Sequence, residues 1–133
     1  MATTAEYGLG EFTYPRGWFM VGEASDATTT PKAVRFFGED MVLYRGESGK
    51  AYLVEAYCPH MGTHMALNTT SYVVTDNEHV EGDNIRCPYH GWRFGSDGAC
   101  AFIPSLPLDS DIKCDAIKLR TYPIREDGRL IWV

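Results

Sequence analysis

The sequence is short of positive charge, of long apolar runs, of helical periodicity and of cysteine, and each shortage removes a class of protein. Twelve lysines and arginines face eighteen aspartates and glutamates, for a net charge of −6 and a pI near 5.1. Nucleic acid requires a cationic footprint, so that partner is excluded. The longest apolar runs are short pieces such as AYLVEAYC, far from a bilayer span, and no membrane partner is expected. The first ten residues, MATTAEYGLG, have neither a basic start nor an apolar core and do not read as a secretory signal. A soluble, cytoplasmic protein is expected. No stretch keeps a 3.6-residue apolar period for three turns, which sets aside helical bundles. Only four cysteines are present. In a secreted chain they would suggest two disulfides. Cys58 and Cys87 instead each stand a short step from a histidine, which favours metal ligation in a reducing compartment. Cys100 and Cys114 lack such neighbours and read as buried free thiols.

What is there is a single domain's worth of chain, 133 residues with 44% hydrophobic and 23% charged. Runs rich in β-branched and aromatic residues recur between turn signals. Strands are expected near Trp18–Glu23, Ala33–Phe37, Met41–Arg45 and Ala51–Tyr57, then near Tyr72–Thr75, Asn84–Arg86, Ile117–Tyr122 and Arg129–Val133. GESGK (Gly46–Lys50), SDG (Ser96–Gly98) and EDG (Glu126–Gly128) are hairpin-type turns with glycine available for positive φ. The class is all-β, a small antiparallel sandwich or barrel.

One motif has an echo. CPHMGTH at Cys58–His64 is followed by CPYHGW at Cys87–Trp92. The candidate ligands are Cys58-x-His60 and Cys87-x-x-His90. Thiolates and imidazoles suit zinc, and they also suit an iron–sulfur cluster of mixed ligation. A zinc finger groups like ligands, cysteines first and histidines after. Here each loop supplies one of each. Two irons with unlike ligands explain that arrangement, with Cys58 and Cys87 on one and His60 and His90 on the other.

The pattern resembles the Rieske [2Fe–2S] motif, C-x-H followed by C-x-x-H. CPHMG and CPYHGWRFGSDGACAFIP are similar to the two cluster-binding loops of Rieske non-heme iron oxygenases, with the steroid group, such as the oxygenase component of 3-ketosteroid 9α-hydroxylases, most alike. The resemblance runs weakly from YPRGWFMVG to GRLIWV. It implies a Rieske fold over residues 1–133 with a cluster-binding subdomain at about 57–105, two projecting loops, and an inner iron on Cys58 and Cys87 with an outer iron on His60 and His90. High-potential members have a serine and a tyrosine hydroxyl where this chain has Trp92 and Phe94, and a loop-joining disulfide where it has Thr63 and Tyr89. Their absence implies a low-potential cluster.

An oxygenase also needs a mononuclear iron held by two histidines and a carboxylate. Only His64 and His79 remain, so no catalytic residue is assigned, and whether the chain is itself an enzyme stays open. The expected function is electron transfer, as the Rieske domain of a ring-hydroxylating or steroid-type oxygenase system. The alternative is a free-standing Rieske ferredoxin. The implied partners are a flavin reductase or ferredoxin as donor and a mononuclear-iron oxygenase domain or subunit as acceptor. Trp92, beside His90, is expected to cover the cluster. His64 reads as structural or solvent-facing. His79 reads as part of a solvated acidic hairpin at Asn68–Asp83, turning at TDNE.

Overall fold

The computed structural model describes residues 5, 6, 8, 10 and 16–133; Tyr14 and Pro15 of the YPRGWFMVG motif lie outside them. Among the described residues there is no α-helix, only a 3-10 turn at Ala24–Asp26. The strands are β1 (Met20–Glu23), β2 (Lys32–Phe36), β3 (Glu39–Arg45), β4 (Ala51–Glu55), β5 (Val80–Glu81), β6 (Asn84–Arg86), β7 (Arg93–Phe94), β8 (Cys100–Phe102), β9 (Thr121–Tyr122), β10 (Arg125–Asp127) and β11 (Leu130–Trp132). All pair antiparallel, in sheets of order β1-β11-β10, β2-β3-β4-β9 and β5-β6-β7-β8.

The middle of the fold is β3. Its run Met41-Val42-Leu43-Tyr44 is buried on both faces, which is why it reads as continuous rather than alternating hydrophobicity. Side chains alternate across a strand. Met41 and Leu43 therefore join Val21, Leu53 and Ile131 in one core, while Val42 and Tyr44 join Val54, Ile85, Phe94 and the two loop cysteines in another. The β2-β3-β4-β9 sheet is a central layer with a core on each side.

Arg45 ties one side together. Its guanidinium donates to the Ala24, Ala27 and Gly49 carbonyls at 2.6–2.9 Å and holds Glu126 through two nitrogens at 3.0 and 3.1 Å. Asp83, in the β5–β6 turn, ties the other. Its carboxylate accepts from the Ser48 N–H at 3.1 Å and the Tyr52 hydroxyl at 3.0 Å, while its carbonyl accepts from Tyr44.

Two expected strands differ. Tyr72–Thr75 joins no ladder, although its residues favour β structure. The Ser71 hydroxyl takes the N–H groups of Val73 and Val74 and donates to the Pro88 carbonyl at 2.6 Å, so side-chain bonds curl the segment locally. Ile117–Tyr122 is extended but split between neighbours. Ile117 and Leu119 bond across to Cys100 and Gly98, Arg120 bonds to Glu55, and only β9 pairs as a ladder with β4. TDNE does form a turn, with Asp76 and Asn77 at positive φ, but the hairpin itself reverses at Gly82–Asp83 between β5 and β6.

Candidate metal centre

The two Cys/His loops are copies of one turn. In the first, the Gly62 N–H donates to the Cys58 carbonyl at 2.8 Å and the Cys58 N–H to the Thr63 carbonyl at 2.9 Å. In the second, Gly91 bonds back to Cys87 at 3.1 Å and Cys87 to Trp92 at 2.8 Å. Gly62 and Gly91 sit at φ of +74 and +75, left-handed backbone that a side chain would strain. Gly91 is also crowded: an added Cβ would lie 3.1 Å from Val73 Cγ1 and 3.2 Å from Pro104 Cγ. The identical turns align the cysteines, and the one-residue difference in spacing offsets His60 from His90.

The turns aim backbone N–H groups at sulfur. Cys58 receives them from His60 and Met61, and Cys87 from Tyr89 and His90. Cys58 and Cys87 are each 2% exposed, and their thiols interact with one another. That interaction lowers the Cys87 thiol, and the same interaction, then burial, pushes the Cys58 thiol up. Binding a metal displaces both thiol protons.

The imidazoles form the second pair. Their ring centroids lie 5.0 Å apart. His60 is exposed and stacks on Trp92 at 4.1 Å with planes 10° apart; the His90 ring lies 3.8 Å from that of Tyr89. His90 Nδ1 is buried and has no hydrogen-bond partner, an orphan that a metal bond would satisfy. Among the described residues, no three His, Cys, Asp or Glu side chains gather where they could hold a single metal ion. Paired thiols and paired imidazoles that do not converge fit a two-metal cluster better than tetrahedral zinc.

The other two histidines divide. His64 lies apart from these pairs: its Nδ1 accepts from the Ala66 N–H at 3.2 Å, its ring meets Tyr57 edge-on, and burial pushes its imidazole below the ordinary value. His79 corrects the expectation of a solvated turn. It is fully buried, with Nε2 3.0 Å from the Asn68 carbonyl oxygen and Nδ1 unpartnered. Burial there depends on how residues 68–79 fold back, which the acidic neighbours Asp76, Glu78 and Glu81 concealed. The ring of Tyr89 over His90 was missed as well; its only signal was its place one residue before the histidine.

An all-β scaffold offering thiols in one pair and imidazoles in another defines an iron–sulfur protein of mixed ligation. The chain belongs to the Rieske [2Fe–2S] domain family, whose model matches residues 17–123. It is 36% identical over 121 residues to cholesterol 7-desaturase of Bombyx mori, covering 90% of this chain and 24% of that protein. To a probable 3-ketosteroid-9-alpha-monooxygenase oxygenase component of Rhodococcus rhodochrous it is 35% identical over 132 residues, covering 97% of this chain and 30% of the relative. The crystal structure of apo dicamba monooxygenase shares the fold, with a TM-score of 0.70 at 20% identity over 87% of this chain and 32% of that one. The chain thus spans 24–32% of the length of these relatives. The family's cofactor is the Rieske-type [2Fe–2S] cluster, and the donor set above suits it. No described helix is long and apolar enough to cross a membrane.

Proposed function

We propose that this chain is the electron-relay domain of a Rieske oxygenase system, with Cys58 and Cys87 on one iron and His60 and His90 on the other. The carrying observation is the paired donor set, two thiols buried in one core, two imidazoles 5.0 Å apart and a buried His90 Nδ1 without a partner. When bound, the cluster supplies a one-electron store at about −150 to +300 mV, above the roughly −400 mV of plant-type all-cysteine clusters.

The chain's own residues set how that store is held. The N–H groups of His60, Met61, Tyr89 and His90 stabilise negative charge on sulfur. Trp92 lies flat on His60 and excludes water from one face of that ring. Neither Trp92 nor Phe94 offers a hydroxyl to sulfur, which supports a potential low in the range. Met61 at 64% exposure follows the exposed His60 in the chain, and Tyr89 at 43% lies against His90, a surface suited to a docking reductase or ferredoxin. A mononuclear-iron domain or subunit is the proposed acceptor, and residues about 57–105 the cluster-binding subdomain. That similar proteins include an oxygenase component supports this over a free-standing ferredoxin. The names of two of them support a steroid-type substrate for the whole system.

The test is an iron and sulfide assay with an EPR spectrum of the dithionite-reduced protein. Two irons and two sulfides per chain are expected, with a reduced-cluster signal that disappears in Cys87→Ser. Colourless protein loaded with zinc would refute the proposal.

A further inference from the structure

The fold also brings together the two cysteines outside the metal centre. Cys100 opens β8 at 2% exposure; Cys114 follows a turn and loop and is half-buried. The Cys114 thiol donates to the Cys100 carbonyl at 3.2 Å, which sets its sulfur beside the Cys100 residue, near enough for the two thiols to perturb one another. Backbone bonds fix the approach: the Cys100 N–H donates to Ile117 at 2.8 Å, and the Ile117 N–H returns to Cys114 at 2.9 Å. A thiol held against the backbone of the other cysteine, on segments clamped to one another, is placed to close an S–S bond of about 2.05 Å.

We propose that Cys100 and Cys114 form a reversible disulfide, a redox modification site separate from the metal-binding cysteines. Hydrogen peroxide is the oxidant. The more exposed Cys114 reacts first as thiolate: an S–O bond forms, the O–O bond breaks and hydroxide leaves, giving a sulfenic acid. The Cys100 sulfur then attacks the Cys114 sulfur, forming the S–S bond. The sulfenic oxygen departs as water with the proton from Cys100. Two thiols and one peroxide yield one disulfide and two waters, with two electrons passing from sulfur to oxygen. The order follows exposure, since burial, with the Cys114 contact, pushes the Cys100 thiol up to about 12. A dithiol reverses the bond by exchange.

The link would close the loop 101–113. That loop carries Ile103, packed in the core with Cys58 and Cys87, and Pro104, which crowds Gly91 of the second Cys/His turn. It also carries the exposed Leu108 and Ile112. Oxidation would therefore restrain the segment that backs the metal centre.

The test oxidises the cluster-loaded protein with peroxide, blocks remaining thiols with iodoacetamide and maps tryptic peptides without reductant. The expected product is peptide 94–113 joined to 114–118, two hydrogens lighter than the sum, and released by dithiothreitol. Tryptic cleavage after Lys113 in the folded protein should be slower once oxidised. Cys114→Ser should lose both the joined peptide and the protection. Cys100→Ser should leave a Cys114 sulfenic acid that dimedone traps, which keeps the order of events testable if the first variant folds poorly. Peroxide that drives Cys114 to sulfinic acid while Cys100 still alkylates would overturn the proposal, as would linkage confined to Cys58 and Cys87.

Discussion

At the scale of single residues, two side chains beside the proposed metal donors separate shielding from tuning. Trp92 stacks on His60, the exposed member of the imidazole pair. Trp92→Leu keeps apolar bulk but loses the flat cover. Its expected result is faster bleaching of the visible absorption in air, with little change in initial iron content. An unchanged bleaching rate would mean the tryptophan merely packs. Phe94 is different, being fully buried in the core that contains Cys58 and Cys87. A hydroxyl introduced by Phe94→Tyr has no water to meet. If it donates to sulfur, the reduction potential rises, because a donor stabilises the charge added on reduction. If it finds no acceptor, the potential stays and stability falls by about 1–3 kcal/mol, the cost of an unsatisfied buried polar group. A redox titration and a melting curve on the same sample distinguish the two, and the first is expected.

At the scale of elements, the β5–β6 turn latches onto the β3–β4 turn through Asp83. The Ser48 hydroxyl and N–H, then Tyr52, hold the Asp83 carboxyl below the usual carboxylate range. A folded pKa below the unfolded value near 3.9 means that the ionised group stabilises the fold above about pH 4, and that this contribution is lost as pH falls through the folded value. Asp83→Asn should therefore melt below the wild type at pH 6, and the gap should narrow as pH drops to about 3. A constant gap would place the effect in packing rather than charge. This latch was not legible in the sequence, since it joins residues 35 apart through a carboxylate, a hydroxyl and a backbone N–H. The pairing of the donors proposed for the metal centre was legible, because Cys58, His60, Cys87 and His90 carry their chemistry in residue type and their geometry in a short spacing with a left-handed glycine. Where β propensity alone was the guide it failed at Tyr72–Thr75, because the Ser71 hydroxyl satisfies the N–H groups a ladder would have used. The burial of His79 was equally hidden, being set by the fold-back to Asn68.

At the scale of the whole molecule, β3 makes one strand serve two cores, and this gives neighbouring residues opposite consequences. Val42 is fully buried against Cys58, Cys87 and Phe94, whereas Leu43, 1% exposed, faces Val21 and Ile131. Truncating either leaves a cavity, and a buried leucine cut to alanine costs about 2–5 kcal/mol. Arg45, with its bidentate hold on Glu126 and three carbonyls, keeps the Leu43 side assembled independently of the metal centre. Leu43→Ala should therefore lower the melting temperature while cluster loss, followed by visible absorption, continues to coincide with unfolding. Val42→Ala removes less volume and should lower the melting temperature less. Its cavity, however, opens into the core under both loop cysteines, so the cluster should be lost some degrees before the β-sheet signal in circular dichroism changes. The smaller destabilisation would then accompany the larger effect on the metal centre, an inversion that a single undivided core cannot produce. If cluster loss tracks global unfolding equally in both variants, the two faces of β3 are energetically one.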